Sequence, residues 1–210
     1  LSANVYCADS LSWTTETGEA PIDDPIGKFD VVLTNPPFGS KIVAASPQVL
    51  RQFSLGHKWR QNRKTGEYVQ TDLLPASVPP QVLFVERCLS LLRPGGRLGM
   101  VVPESLISSK TYRYVVQFIR FQAEIKAVIG MPEELFKTSG KSGTHTKTCL
   151  LFLEKKPVES QSNAIFMAEA KWCGRDSRGR VIERDELPEI VKKHELFIQG
   201  KINGYSHLGY

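Results

Sequence analysis

Short apolar runs alternate with helical segments along this sequence, and that alternation leaves few folds open. Residues 29–33 (FDVVL), 97–102 (RLGMVV), 123–129 (AEIKAVI) and 147–153 (KTCLLFL) are of strand length and largely apolar. Between them, residues 81–92 (QVLFVERCLSLL) and 112–121 (YRYVVQFIRF) repeat their apolar residues at helical spacing. Strands buried on both faces read as near-continuous apolar runs, and parallel neighbours need a crossover helix. The expectation is an α/β fold built on a doubly wound, mostly parallel sheet. Residues 4–8 (NVYCA), closed by Asp9-Ser10, read as a further short strand. The last two strands are joined by a loop too short and polar for a crossover helix, which predicts an antiparallel hairpin at the sheet's edge. Arg93-Pro94-Gly95-Gly96 reads as a helix stop.

The chain changes character near residue 157. Residues 1–156 hold the elements above, and 157–210 form a C-terminal extension with a strand-like run at 164–170, a turn at 174–179 and a short helix at 185–194. With 41% hydrophobic residues in a chain of 210, a real core can be built. Residues 1–30 carry six acids against Lys28 alone, so the later chain is strongly basic and suits a polyanionic partner. Cys7, Cys88, Cys149 and Cys173 form no C-x-x-C pair and the histidines fall into no ligand spacing, so no metal is expected. Cys7, Cys88 and Cys149 lie in apolar runs, which reads as core thiols of a reducing, cytoplasmic protein. The sequence shows no signal peptide and no apolar run of membrane-spanning length, so no membrane partner is expected. It opens without Met, in a strand-like run, and reads as a fragment of something longer.

The run 29–40 (FDVVLTNPPFGS) drives an apolar strand straight into Asn35-Pro36-Pro37-Phe38. Asn-Pro is a common way to stop a strand, and a second Pro-Pro, Pro79-Pro80, has no evident chemistry. Position changes the reading, because open parallel sheets bind ligands at the carboxyl ends of their strands. Proline fixes its backbone and donates no N–H, so the Pro36 carbonyl is available as a rigid acceptor. The Asn35 side-chain oxygen is a second acceptor, and Phe38 is a flat apolar face. Two acceptors and a ring suit an exocyclic amine on a nucleobase. They favour the pyramidal amine, whose lone pair faces an electrophile, and stabilise the positive charge that develops on nitrogen. Stacking on the ring is worth roughly 1–3 kcal/mol, which helps offset extruding a base from a duplex.

These residues resemble the catalytic motif of amino-group methyltransferases that use S-adenosylmethionine, in particular N6-adenine DNA methylases. FDVVLTNPPFGS, VLFVERCLSLLRPGGRLGMVVPESLI, EIKAVIGMPEELF, THTKTCLLFLEKK and DELPEIV follow, in that order, the modification subunits of type I restriction-modification systems. The resemblance implies a Rossmann-like methyltransferase sheet, S-adenosylmethionine as cofactor, and double-stranded DNA with a specificity subunit and a restriction subunit as partners. Asn35 and the Pro36 carbonyl would hold the adenine amine, with Pro37 completing the turn and Phe38 stacking on the flipped base. Asp9, with Ser10 beside it, matches the acid that binds the cofactor's adenine amine; its alternative is a helix cap.

The family's glycine-rich first motif is expected upstream of Asp9 and does not occur there, so the sheet is expected to be N-terminally incomplete. That implies a chain that binds cofactor weakly and does not methylate alone. Residues 136–144 (FKTSGKSGT) are glycine-rich but follow no strand directly, and read as a loop between strands. Residues 51–64 (RQFSLGHKWRQNRK) carry Arg51, Lys58, Arg60, Arg63 and Lys64 around Trp59 with no acid. They are either a solvated loop or a contact for DNA phosphates. Two other readings stay open: a methyltransferase acting on RNA guanine or protein glutamine, which use related motifs, and a non-catalytic DNA-binding subunit.

Overall fold

The computed structural model describes residues 4–15, 20, 24–37, 46–136, 147–156, 164–176, 178–203 and 205–206. In chain order, strand β1 (Phe29–Thr34) is followed by helix α1 (Pro80–Leu91), β2 (Leu92–Pro103), α2 (Arg113–Gln122) and β3 (Ala123–Gly130). Then come β4 (Thr148–Lys155), β5 (Phe166–Glu169), α3 (Leu187–Ile198) and β6 (Tyr205–Ser206). These strands form one six-stranded sheet in the order β6-β5-β3-β4-β2-β1. β1 is parallel to β2, and β3, β5 and β6 are parallel neighbours. β4 alone runs the other way, bonded to β2 on one side and β3 on the other.

The expected antiparallel pairing of residues 123–129 with 147–153 is therefore present, but its place at the edge is not. β4 lies inside the sheet, and β5 and β6 extend the sheet beyond β3. Interior placement explains why KTCLLFL is so apolar: Cys149, Leu151 and Leu153 are buried on one face and Phe152 packs on the other. Residues from the C-terminal extension thus join the same sheet.

Strand residues alternate between the two faces, and each face has its own cluster. On one, α1 (Val82, Leu83, Val85, Leu89) and α2 (Val115, Phe118, Ile119) cover Leu98, Met100, Leu151 and Leu153. On the other, Ile190, Leu187 and Phe197 of α3 pack on Ala127, Ile129, Phe152 and Phe166. α1 opens on Pro80, whose fixed backbone suits the first helical position. The anticipated stop after α1 is a bulge inside β2. Leu92 already pairs with Phe29, pairing resumes at Val31 with Arg97, and Gly95 takes the positive φ (75°) that the excursion needs. No helix among the described residues is long and apolar enough to cross a membrane.

Residues 4–8 are not a strand of this sheet. Ala8–Asp9 pairs only with Thr14–Thr15 in a small hairpin, and Val5 and Tyr6 stand 91% and 51% exposed. An apolar run becomes a strand only where another strand bonds to it, and among the described residues Ala8 is the one residue of this run that is paired. Cys7 is correspondingly exposed, whereas Cys88 and Cys149 are buried as anticipated. The outer edge of β1 is likewise unpaired among the described residues, with Leu33 77% exposed.

Candidate active site

β1 ends at Thr34, opposite Met100, and β2 continues past it to Pro103. Asn35 therefore leaves the sheet at the carboxyl end of β1 with β2 standing beside it. Pro36 is buried while Asn35 and Pro37 are exposed. The segment donates no N–H at either proline, and Asn35 is open to solvent beside the buried Pro36. Phe38 lies outside the described residues.

Asp9 sits in its own turn. Its carboxylate accepts the Leu11 N–H at 2.9 Å and the Ser12 hydroxyl at 2.8 Å, and its carbonyl accepts the Trp13 N–H at 2.7 Å. Burial alone would raise its pKa. The bonds from Leu11 and Ser12, with the charge of Arg87, outweigh it and hold the carboxyl below its ordinary value. Asp9 thus closes a turn rather than capping a helix, since residues 10–13 are a turn with no helix after them. An ionised carboxylate has about four lone-pair sites, so it keeps capacity for another donor. Ser10 is exposed beside it.

The turn is tied to α1 by Arg87, which the sequence reading did not single out. Its Nη2 donates to the Leu11 carbonyl at 2.6 Å, and its guanidinium lies 4.9 Å from the Phe53 ring centroid and 6.0 Å from that of Trp13. The neighbouring Glu86 carboxylate accepts the Ser54 and Leu55 N–H groups at 2.9 and 2.7 Å. Burial pushes the Glu86 pKa up despite those bonds. Two adjacent charges inside an otherwise apolar helix were the available signal for both residues.

Beyond Leu55 the polar region folds into a ribbon, Trp59–Gln61 paired antiparallel with Tyr68–Gln70. The Trp59 ring packs on Tyr114 and Phe118 at 6.0 and 6.4 Å, and its indole N–H donates to the Ser54 carbonyl at 3.0 Å. Trp59 is thereby engaged in the fold, while Lys58, Arg60, Arg63 and Lys64 are all exposed. A second unanticipated group ties three strands at the carboxyl end of the sheet. Lys147, before β4, lies 3.4 Å from Glu104, after β2, and 2.9 Å from Glu169 of β5. The hydrogen bond with Glu169 and both carboxylate charges hold its pKa above the ordinary lysine value, against the effect of partial burial.

The spare acceptor capacity of Asp9 is of the kind that the amine of a nucleoside cofactor's adenine would take. The other glycine-rich candidates do not add to it. Gly95-Gly96 lies near Phe29, at the amino end of β1 and away from Asn35. Residues 137–144 of the later loop lie outside the described residues. No group of three potential metal ligands occurs among the described residues.

The open α/β sheet with one reversed strand is the fold that class I S-adenosylmethionine-dependent methyltransferases share with this chain. A Listeria monocytogenes protein described as a class I methyltransferase of that kind superposes with a TM-score of 0.56 at 20% identity, over 81% of this chain and 43% of its own. The chain belongs to the N-6 DNA Methylase family, whose profile matches residues 2–208. A structure of a type I restriction-modification system gives a TM-score of 0.55 at 22% identity, over 83% of this chain and 32% of that one. A Methanocaldococcus jannaschii protein named as a type II restriction enzyme and methyltransferase is 24% identical over 143 residues. That match covers 68% of this chain but 10% of the relative, so the chain spans a small part of its length.

Proposed function

We propose that this chain is the target-base part of a DNA adenine-N6 methyltransferase in a restriction-modification system. The observation that carries the reading is the Asn35-Pro36-Pro37 segment at the carboxyl end of β1, with Pro36 buried and Asn35 exposed, in a member of the N-6 DNA Methylase family. In this reading the Asn35 side-chain oxygen and the Pro36 carbonyl accept the two hydrogens of the adenine amine. They aim its lone pair and stabilise the charge it gains as the N–C bond forms. The amine then releases a proton to solvent. Asp9 accepts a hydrogen bond from the amine of the cofactor's adenine, and Arg87 keeps the Asp9 turn on α1. S-adenosylmethionine, when bound, would supply the electrophilic methyl group, its S–CH3 bond breaking as the N–C bond forms and its sulfur leaving as a neutral thioether. Double-stranded DNA is the substrate, and a separate specificity subunit reads its sequence.

The test is methyl transfer by the full-length gene product with its specificity partner, using labelled S-adenosylmethionine and adenine-containing duplex DNA. N6-methyladenine is expected in the product. Asn35→Ala is expected to lower the rate by about 10²- to 10³-fold, the effect of losing one preorganised hydrogen-bond partner. Parallel reactions with RNA and protein decide between substrates: label in guanine or glutamine, and none in DNA, refutes the proposal.

A further inference from the structure

The ribbon of residues 59–70 has one face committed to the fold and another turned to solvent. Trp59 is packed on α2, and Tyr68 is fixed there by a reciprocal pair of bonds. Its N–H donates to Gln117 Oε1 at 2.8 Å, and Gln117 Nε2 donates to its carbonyl at 2.7 Å. Pairing extends below the ribbon, where the Lys58 N–H donates to the Leu73 carbonyl and the Thr71 N–H to that of Lys58. Because side chains alternate along a strand, Lys58 and Arg60 point away from the face that carries Trp59. Arg63 and Lys64 sit at the tip, in a turn closed by Asn62 bonds to Gly66, Glu67 and Lys64. All four cations are exposed, and none forms an ion pair among the described residues.

Topology sets where this surface lies. α2 crosses from β2 back to β3, two strands of the same direction, so it begins at the carboxyl end of the sheet. Tyr114 and Gln117 are in its first two turns, which brings the ribbon to the end of the sheet where Asn35 emerges. Lys58 to Gln61 alone spans roughly 10 Å at strand rise, a length over which a duplex presents several phosphates. A rigid arm with unpaired cations on one side suits a backbone polyanion.

We propose that Lys58, Arg60, Arg63 and Lys64 hold the DNA phosphate backbone beside the target base, independently of sequence, on an arm fixed by Trp59 and Gln117. This rests on DNA being the substrate. The test replaces all four with glutamine in the full-length gene product. Anisotropy with two labelled 30-base-pair duplexes of unrelated sequence then follows affinity from about 50 to 200 mM salt. Each cation that contacts phosphate contributes a slope of about 0.9 to log affinity against log salt, so the variant is expected to be shallower by about 2 to 4. Its affinity is expected to fall equally on both duplexes, with an unchanged thermal midpoint. Equal slopes for wild type and variant overturn the inference, as does a loss confined to one duplex. If the wild type binds neither duplex, the proposed function falls and this inference with it; DNA binding with unaltered slope removes the inference alone.

Discussion

Replacing Arg87 with alanine tests whether the Asp9 turn is held by one side chain. The hydrogen bond from its charged guanidinium to the Leu11 carbonyl is worth about 1.5–3 kcal/mol, and its contacts with the Trp13 and Phe53 rings about 0.5–1 kcal/mol each. Against that, its Nε is buried with no partner among the described residues, a cost of about 1–3 kcal/mol that alanine removes. The net loss is about 1–3 kcal/mol, or roughly 5- to 150-fold in an opening equilibrium. Trp13 adds to the tendency to open, since its φ of 58° is left-handed and costs a bulky residue about 1–2 kcal/mol. The loss is therefore local. Hydrogen exchange followed by mass spectrometry is expected to show faster exchange at the Leu11 and Trp13 amides, both bonded to Asp9, with α1 unchanged. Arg87→Lys, which keeps the charge without the planar fork, is expected to fall between. Unchanged protection at Leu11 and Trp13 in Arg87→Ala refutes the clamp.

Three further outcomes are expected. Gly56→Ala places a methyl group onto the Leu50 backbone carbonyl, so it should destabilise the chain by at least about 1–3 kcal/mol, read as a lower urea midpoint. Burial pushes the Cys88 and Cys149 thiols up to about 12, so a thiol reagent at neutral pH should label exposed Cys7 and leave these two unmodified until the chain unfolds. The depressed Asp9 carboxyl stabilises its turn above the ordinary carboxylate pKa of about 3.9 and loses that contribution as pH falls through the lower folded value. Leu11 protection should then drop only on the acid side, and Asp9→Asn should abolish that step.

What the sequence shows directly is what burial writes into it. β2, β3 and β4 were readable because two-sided burial demands apolar residues, β1 because its run is apolar although Val31 and Leu33 stand exposed, and α1 and α2 because a helix with one covered face repeats its apolar residues. The carboxyl-end position of Asn35 followed from β1 alone. The neighbours of β4 did not, since an apolar run looks the same whichever strands flank it. Residues 4–8 have a strand's composition without a strand to bond to. The ribbon was unreadable for a different reason. Its strands are three residues each, and Gln117, which fixes Tyr68, lies 49 residues away from the group it binds. Hydrogen bonds of that range leave no period in the sequence. Phe38 and the later glycine loop lie outside the described residues, so those expectations stand as the sequence left them.

The reversed strand β4 also sets an order of assembly. β2 and β3 lie one strand apart, a gap of roughly 10 Å that only β4 fills. In the finished sheet the two strands do not bond to each other, and each takes β4 as its neighbour. Their facing edges stay open until residues 148–155 arrive, and a single late segment then closes both ladders at once. A chain cut short of Thr148 is therefore not a smaller version of this sheet but two unfinished edges, each a template for the wrong partner.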